Sequence, residues 1–215
     1  MNAKTDELRN AHDALAEWYV GATAGALEAM PIERAVLDLF CELTVAADLG
    51  GVVGDVGSGT GRLAPYLAAR GVSPHGIDLS PGMVQVARRD YPGFAFDVAD
   101  LRDLPFEDAS LAGAVCWYSL IFLAPADRPI AFSELARVVK PGGYLVAGAR
   151  AGNGELRRGG GAAVGLGVEY DGYWMSAQEM QDRVTDSGFA TVFQGSRPVE
   201  EQEATTHHYL LAQRT

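Results

Sequence analysis

Cysteine is nearly missing from this chain: two in 215 residues, Cys41 and Cys116. Two thiols make neither a disulfide framework nor a zinc site, so the expectation is two reduced, buried side chains in a cytoplasmic protein with no bound metal. Basic residues are short as well, 17 Lys and Arg against 28 Asp and Glu, for a formal net charge of −11. Such a balance argues against a nucleic-acid-binding face and against a polybasic membrane anchor. Long apolar runs are missing too. The most apolar stretch, Leu111 to Ala126, falls short of the ~20 residues of a membrane-crossing helix, and Ser119 and Pro125 interrupt it. The first ten residues, MNAKTDELRN, lack the basic-then-apolar pattern of a secretory signal. No internal repeat occurs. What is present, 48% hydrophobic residues over a length usual for one domain, suffices for a single packed core.

Two kinds of periodicity divide the chain. Through the first fifty residues the spacing is helical. Leu8, Ala11, Leu15 and Trp18 recur on one stripe, and after Pro31 the set Ile32, Ala35, Val36, Leu39, Phe40 and Leu43 forms another, stopped by Gly50-Gly51. From Gly51 onward short apolar runs alternate with helical ones. Strands are expected at Val52 to Val56, His75 to Leu79, Phe94 to Val98, Leu111 to Trp117, Tyr144 to Ala149, Phe189 to Phe193 and His208 to Ala212. Helices are expected at Arg62 to Arg70, after the Ser80-Pro81 cap, at Pro129 to Val139, and from the Ser176-to-Glu179 capping box to Gly188. Gly152 to Gly167 is rich in glycine and without periodicity, either a lid or a flexible loop. Strand–helix alternation implies a mostly parallel sheet covered on both faces, with its ligand at the carboxyl ends of the central strands.

Those strand ends carry the chemistry. Asp55-Val56-Gly57-Ser58-Gly59-Thr60-Gly61 follows the first strand and opens a helix. Glycines there permit a tight turn and close approach of a ligand. Their spacing is G-x-G-x-G, whereas the dinucleotide fingerprint is G-x-G-x-x-G. Asp55, directly before the loop, is a poor neighbour for a pyrophosphate and a good one for a ligand bearing an ammonium and a sulfonium. Asp78 ends the second strand, where a carboxylate can accept from both hydroxyls of a ribose. Asp100 lies just past the third, where an adenine amine could donate to it. Each aspartate alone is an ordinary loop residue; three at successive strand ends form a pattern. A nicotinamide oxidoreductase is the rival, opposed by the glycine spacing and by Phe122 where a Tyr-x-x-x-Lys pair starting at Tyr118 would need lysine. A non-catalytic binding protein on the same fold is the other alternative.

The chain resembles the class I S-adenosylmethionine-dependent methyltransferases of the small-molecule kind. The matching segments are Val53 to Arg62, Gly76-Ile77-Asp78-Leu79-Ser80-Pro81-Gly82-Met83, Asp100 to Phe106, and Leu135 to Gly143, in the family's order. The resemblance implies an α/β fold: a Rossmann-like, doubly wound, seven-stranded, mostly parallel sheet with a helical N-terminal cap. Residues 1–49 would be the cap or lid and 50–215 the cofactor-binding core. It implies S-adenosylmethionine as cofactor and a small organic methyl acceptor as partner, with no nucleic acid and no membrane. Acceptor identity, the methylated atom (N, O or C) and oligomeric state stay open.

Roles follow from the resemblance residue by residue. Gly57, Gly59 and Gly61 would line the methionine end, and Asp55 would orient the amino group. Asp78 would hold the ribose; Leu79 and Met83 would pack on ribose or adenine; Asp100 and Leu101 would take the adenine edge. The backbone at Cys116 or Trp117 would accept from the amino group. Arg62 either reaches the cofactor carboxylate or is a surface arginine. In the lid helix, Tyr19 would lie over the cofactor. A Tyr-Asp pair common at the lid's start is here His12-Asp13. His12 and Tyr118 are the candidate bases. Arg150, where a histidine is common, either binds a substrate carboxylate or phenolate or faces solvent. Tyr170, Tyr173 and Trp174 either wall an apolar substrate pocket or pack in the core. His207 and His208 start the last strand on opposite faces, a poor metal pair.

Overall fold

A computed structural model describes residues 3–160, 165–199 and 205–215. Two helices open the chain, α1 (Ala3–Thr23) and α2 (Pro31–Ala47). Then follow β1 (Val53–Val56), α3 (Ala64–Ala68), β2 (Pro74–Asp78), α4 (Pro81–Asp90), β3 (Ala95–Val98) and β4 (Leu111–Trp117). After a short 3₁₀ turn at Leu120–Phe122 come α5 (Arg128–Val138), β5 (Val139–Arg150), β6 (Leu156–Gly160), β7 (Glu169–Tyr173), α6 (Ala177–Asp186), β8 (Phe189–Arg197) and β9 (His207–Arg214). Seven strands form one sheet in the order β3-β2-β1-β4-β5-β9-β8. The first five run parallel; β9 is antiparallel to both β5 and β8. From β1 the chain steps outward through β2 and β3, then returns to lay β4 on the other side of β1. That reversal opens a crevice at the carboxyl ends of β1 and β4.

Strand alternation sorts the core onto two faces. Leu145, Ala147, Leu210 and Ala212 pack with Phe132 and Leu135 of α5 and Met180 and Val184 of α6. Val146, Tyr209 and Leu211 pack on the opposite side, with Leu37 and Phe40 of α2 and Leu63 and Leu67 at α3. The buried stripe of α2 is Glu33, Val36, Leu37, Phe40, Cys41 and Thr44, displaced from the expected one. Ile32 is left 41% exposed because the sheet takes the neighbouring face, and Trp18 on α1 is 46% exposed. Hydropathy spacing cannot tell an apolar side chain that has a partner surface from one that has none.

Caps behave as local chemistry requires. Ser80 Oγ accepts from the Met83 N–H at 3.0 Å, with Pro81 at the first position of α4. Ser176 Oγ likewise accepts from the Glu179 N–H at 3.0 Å. Glu179 does not complete the capping box; its carboxylate instead takes Arg128 Nη1 at 2.7 Å, a guanidinium with no exposed side-chain surface. Three expectations need correction. The helix expected over Arg62 to Arg70 is only the five residues of α3. Strand β5 begins at Val139, five residues before Tyr144, running through Pro141-Gly142-Gly143. The Gly152-to-Gly167 segment is not a plain loop: Leu156–Gly160 pairs with Glu169–Tyr173 as a separate antiparallel ribbon, while 161–164 lie outside the described residues. Its apolar content is too low to read as strand, because the ribbon packs over a cavity rather than into the core.

Candidate active site

A cavity of about 730 Å³ opens at the carboxyl ends of β1, β2 and β4. Beneath α1 and the β6–β7 ribbon, its wall takes in the glycine loop, the ends of β2 and β4, and the Asp100 turn. Gly57 has φ +81°, and a Cβ there would overlap the Ser119 side chain. Ser119 Oγ in turn donates to the Val56 carbonyl at 2.6 Å, which ties β4's exit to the glycine loop. Gly59, at φ +55°, has open space where a Cβ would stand, so a ligand can approach its backbone.

Asp55 is buried at the cavity floor, and its Oδ2 has no hydrogen-bond partner among the described residues. Burial pushes its carboxyl up to about 7, against the opposing pull of the Arg62 guanidinium. Arg62 also lines the cavity and makes no hydrogen bond or ion pair to described residues; burial lowers its pKa. Asp78 accepts from the Gly59 N–H at 2.8 Å and the Ser80 N–H at 2.9 Å. Burial raises its carboxyl, and these two N–H groups oppose that shift. An orphaned carboxylate oxygen over a glycine cradle, with a second carboxylate at the next strand end, suits a cationic amino group and a ribose.

Helix α1 roofs the site. Asp13 Oδ1 accepts from Ser80 Oγ at 2.5 Å and the Gly82 N–H at 2.7 Å, fixing α1 on the start of α4. His12 Nδ1–H donates to the Leu8 carbonyl at 2.9 Å, which leaves Nε2 as the acceptor nitrogen. Burial lowers the His12 pKa, with Asp78 and Asp13 opposing it, so the ring is neutral at pH 7. Its ring centroid lies 4.9 Å from Phe122, 4.8 Å from Tyr170 and 6.0 Å from Tyr19. These four rings form one aromatic wall. Burial and the neighbouring Tyr170 raise the Tyr19 phenol, so it stays neutral.

Most of the residues singled out in the sequence meet at this cavity: His12, Tyr19, Asp55, Gly57, Gly59, Arg62, Asp78, Leu79, Met83, Asp100, Leu101, Trp117, Tyr118, Arg150, Tyr170, Tyr173 and Trp174. Two do not. Gly61 is off the wall; a Cβ there would stand 2.7 Å from Phe96, so its glycine serves packing between α3's approach and the sheet. Cys116 is fully buried beneath the wall, where burial raises its thiol. Asp100 is at the wall but engaged: Arg102 Nε and Nη2 donate to its two oxygens at 2.9 and 2.6 Å, and the Arg102 N–H adds a third bond at 2.9 Å. In the sequence Asp13 appeared only as half of the His12-Asp13 pair, Ser119 only as a strand-end neighbour and His207 only as half of a poor metal pair, while Arg102 was given no role; strand register and loop closure bring Ser119, Arg102 and His207 to the site.

Residues 53–143 match the methyltransferase domain family. Over that segment the chain is similar to S-adenosylmethionine-dependent methyltransferases. It is 35% identical over 92 residues to a malonyl-[acyl-carrier protein] O-methyltransferase of Serratia marcescens, covering 43% of this chain and 35% of that one. It is 37% identical over 113 residues to a demethylmenaquinone methyltransferase of Beutenbergia cavernae, covering 53% and 44%. The chain thus spans less than half the length of these two relatives. The fold matches the crystal structure of a SAM-dependent methyltransferase from Methanosarcina mazei with a TM-score of 0.68 at 21% identity, covering 79% of this chain and 96% of that one. The oxidoreductase alternative finds no support in these matches. Among the described residues, no helix is long and apolar enough to cross a membrane.

Proposed function

We propose that the chain transfers a methyl group from S-adenosylmethionine to a small organic acceptor in the cytoplasm, and that residues 1–49 act as its cap over the core of 50–215. The observation that carries this is the buried Asp55 carboxylate, whose Oδ2 lacks a partner among the described residues at the floor of the G-x-G-x-G loop. The cofactor supplies a methyl group on a sulfonium that any aligned nucleophile can attack. The protein's part is holding. Asp55 orients the amino group, and Arg62, a guanidinium on the same wall, takes the carboxylate. Asp78 accepts the ribose hydroxyls, Leu79 and Met83 flank the rings, and Leu101 with the Asp100 turn borders the adenine.

With the Asp100 carboxylate held by Arg102, the amine meets a carboxylate already shared rather than an open one. His12 lies close enough to Asp78 to feel its charge, which favours a place near the ribose. The aromatic wall of Tyr19, Phe122 and Tyr170 excludes water and packs on an apolar acceptor. Arg150 and Trp174 stand at the acceptor's side, and Tyr173 beside them. Two relatives act, by their names, on demethylmenaquinone and on a malonyl carrier protein, which supports a small organic acceptor over a nucleic acid. Alignment alone can supply several kcal/mol, up to ~7–11 in ideal cases.

Titration calorimetry with S-adenosylhomocysteine, run beside NAD, tests the cofactor, and a methyl-transfer assay over a panel of small acceptors tests turnover. Tight binding of the first and none of the second is expected. NAD binding, or no binding of either, would overturn the proposal.

A further inference from the structure

Tyr118 holds a backbone conformation that is unfavourable for a tyrosine, φ +63°, in the left-handed region directly after β4. Its N–H donates to the Gly148 carbonyl at 2.9 Å, which fixes the turn. The phenol oxygen lies 2.6 Å from His207 Nδ1 and 3.2 Å from the Tyr209 hydroxyl. Behind them Tyr209 donates to Glu33 Oε1 at 2.5 Å, and Arg197 Nε donates to the same oxygen at 2.9 Å. Glu33, Arg197, Tyr209 and His207 are all buried, yet Tyr118 and His207 reach the cavity wall. A polar chain therefore runs from the core under α2 to the place where an acceptor would sit.

Proton counting limits what this chain can do. Tyr209 has one proton, and the Glu33 carboxylate takes it. Tyr118 is then the donor in any bond to Tyr209. In one arrangement Tyr118 donates to His207 Nδ1; in the other it donates to Tyr209 while His207 Nδ1–H donates to Tyr118. A proton can pass from the phenol to the imidazole with no heavy atom moving.

We propose that Tyr118 is a catalytic base that works through His207, and that the acceptor is a phenol or enol hydroxyl. This rests on the methyl-transfer reading above. In the step, the acceptor's O–H proton passes to the Tyr118 oxygen as the Tyr118 proton passes to His207 Nδ1. The freed oxygen pair forms the O–CH₃ bond, the C–S bond breaks, and its electron pair stays on sulfur. The positive charge leaves the sulfonium and reappears on the imidazolium, so the pocket's charge is conserved. A phenol or enol fits because its acidity is close to that of the tyrosine that takes its proton, whereas an aliphatic alcohol holds its proton too tightly and a carboxylate needs no base. Among the described residues, Arg62 at the glycine loop, whose charge bears on Tyr118, and Tyr209 and Glu33 behind it face the pair. Arg150 and Arg197 are the cross-strand partners of His207 on β5 and β8. The step takes His207 in its neutral form, with Nδ1 as the acceptor.

The test uses the full chain saturated with S-adenosylhomocysteine, binding checked first by calorimetry, and 4-nitrophenol as probe, since its phenolate absorbs visible light. Below the pH at which the free probe ionises, the bound probe should carry roughly tenfold more phenolate than the free one. Tyr118→Phe and His207→Asn should each return it to the free value while S-adenosylhomocysteine binds within about twofold of wild type. In wild type alone, the ¹⁵N titration of His207 should move when the probe binds. An unmoved His207 titration, or equal ionisation in wild type and Tyr118→Phe, overturns the proton transfer. A complex that does not bind the probe overturns the phenol or enol class. Failure to bind S-adenosylhomocysteine is read before the probe is added, and it overturns the methyl-transfer reading and this proposal with it.

Discussion

Asp55 and Asp78 both stand at the carboxyl ends of neighbouring strands but meet different environments. Asp78 has two backbone N–H partners; Asp55 has an oxygen with none among the described residues. The Asp55 pKa of about 7 lies above the ~3.9 of an unfolded aspartate. The folded chain therefore holds an extra proton between those values. Its stability falls as pH rises across that window and is insensitive to Asp55 above it. Asp78, raised by burial in the same direction, adds to the slope. Replacing Asp55 by Asn should flatten the fall, measured by urea unfolding at a series of pH values; an unchanged slope would mean Asp55 is ionised throughout. A ligand ammonium beside Oδ2 must drive the proton off. Calorimetry with S-adenosylhomocysteine near neutral pH should thus show proton release, seen as an enthalpy that depends on the buffer's ionisation heat, and Asp55→Asn should abolish it. Asp78→Ala should keep the fold and lose about 1.5–3 kcal/mol of binding per hydrogen bond to the charged acceptor at most. Wild-type affinity in that variant would remove the ribose assignment. All of this was legible as residue types at strand ends. The orphaned oxygen was not, because hydrogen-bond satisfaction depends on groups far apart in the chain.

Helix α1 and the β6–β7 ribbon are the elements on which access to the site turns. Among the described residues two ion pairs fasten the helix to the ribbon, Lys4 to Asp171 at 2.8 Å and Arg158 to Glu7, while Arg158 also holds Asp171 and, at 3.1 Å, Glu169 within the ribbon. Lys4, Glu7 and Arg158 are partly or largely open to solvent, so salt screens these pairs and the fastening is weak. The firmer tie is Asp13 on the start of α4, with Ala16 packed on Met83 and Val86. Deleting residues 1–20 should leave a cooperative sheet, since α2 and the α/β elements bury their own faces, while affinity for S-adenosylhomocysteine falls at least about tenfold, or ~1.4 kcal/mol. Circular dichroism and calorimetry would separate the outcomes; an unfolded product would make α1 a structural element instead. The helical spacing of α1 announced a helix. It did not announce the ribbon, whose strands are polar on both sides because one faces the cavity and the other water.

At the scale of the whole molecule the sheet divides the core into two main apolar layers with separate buried side chains, the half-buried Tyr118 packing against both. Leu37 lies in one and Leu135 in the other, both fully or almost fully buried. Each Leu→Ala change should cost about 2–5 kcal/mol. The pair should add within roughly 0.5 kcal/mol, because no shared buried neighbour couples them. Chemical denaturation of the two single variants and the double would check this; strong coupling would mean that the layers relax together. The amino-acid sequence by itself determined the α/β class, the order of strands and helices, the caps at Ser80 and Ser176, and the three aspartates at strand ends, since each is a local pattern of period, turn residue or spacing. Tertiary structure alone decided that α2 buries Glu33 and exposes Ile32, that Arg102 occupies Asp100, and that His207, 89 residues from Tyr118, lies within hydrogen-bond distance of its phenol. Burial and hydrogen-bond partners belong to surfaces that exist only after the sheet closes, so no window of neighbouring residues contains them.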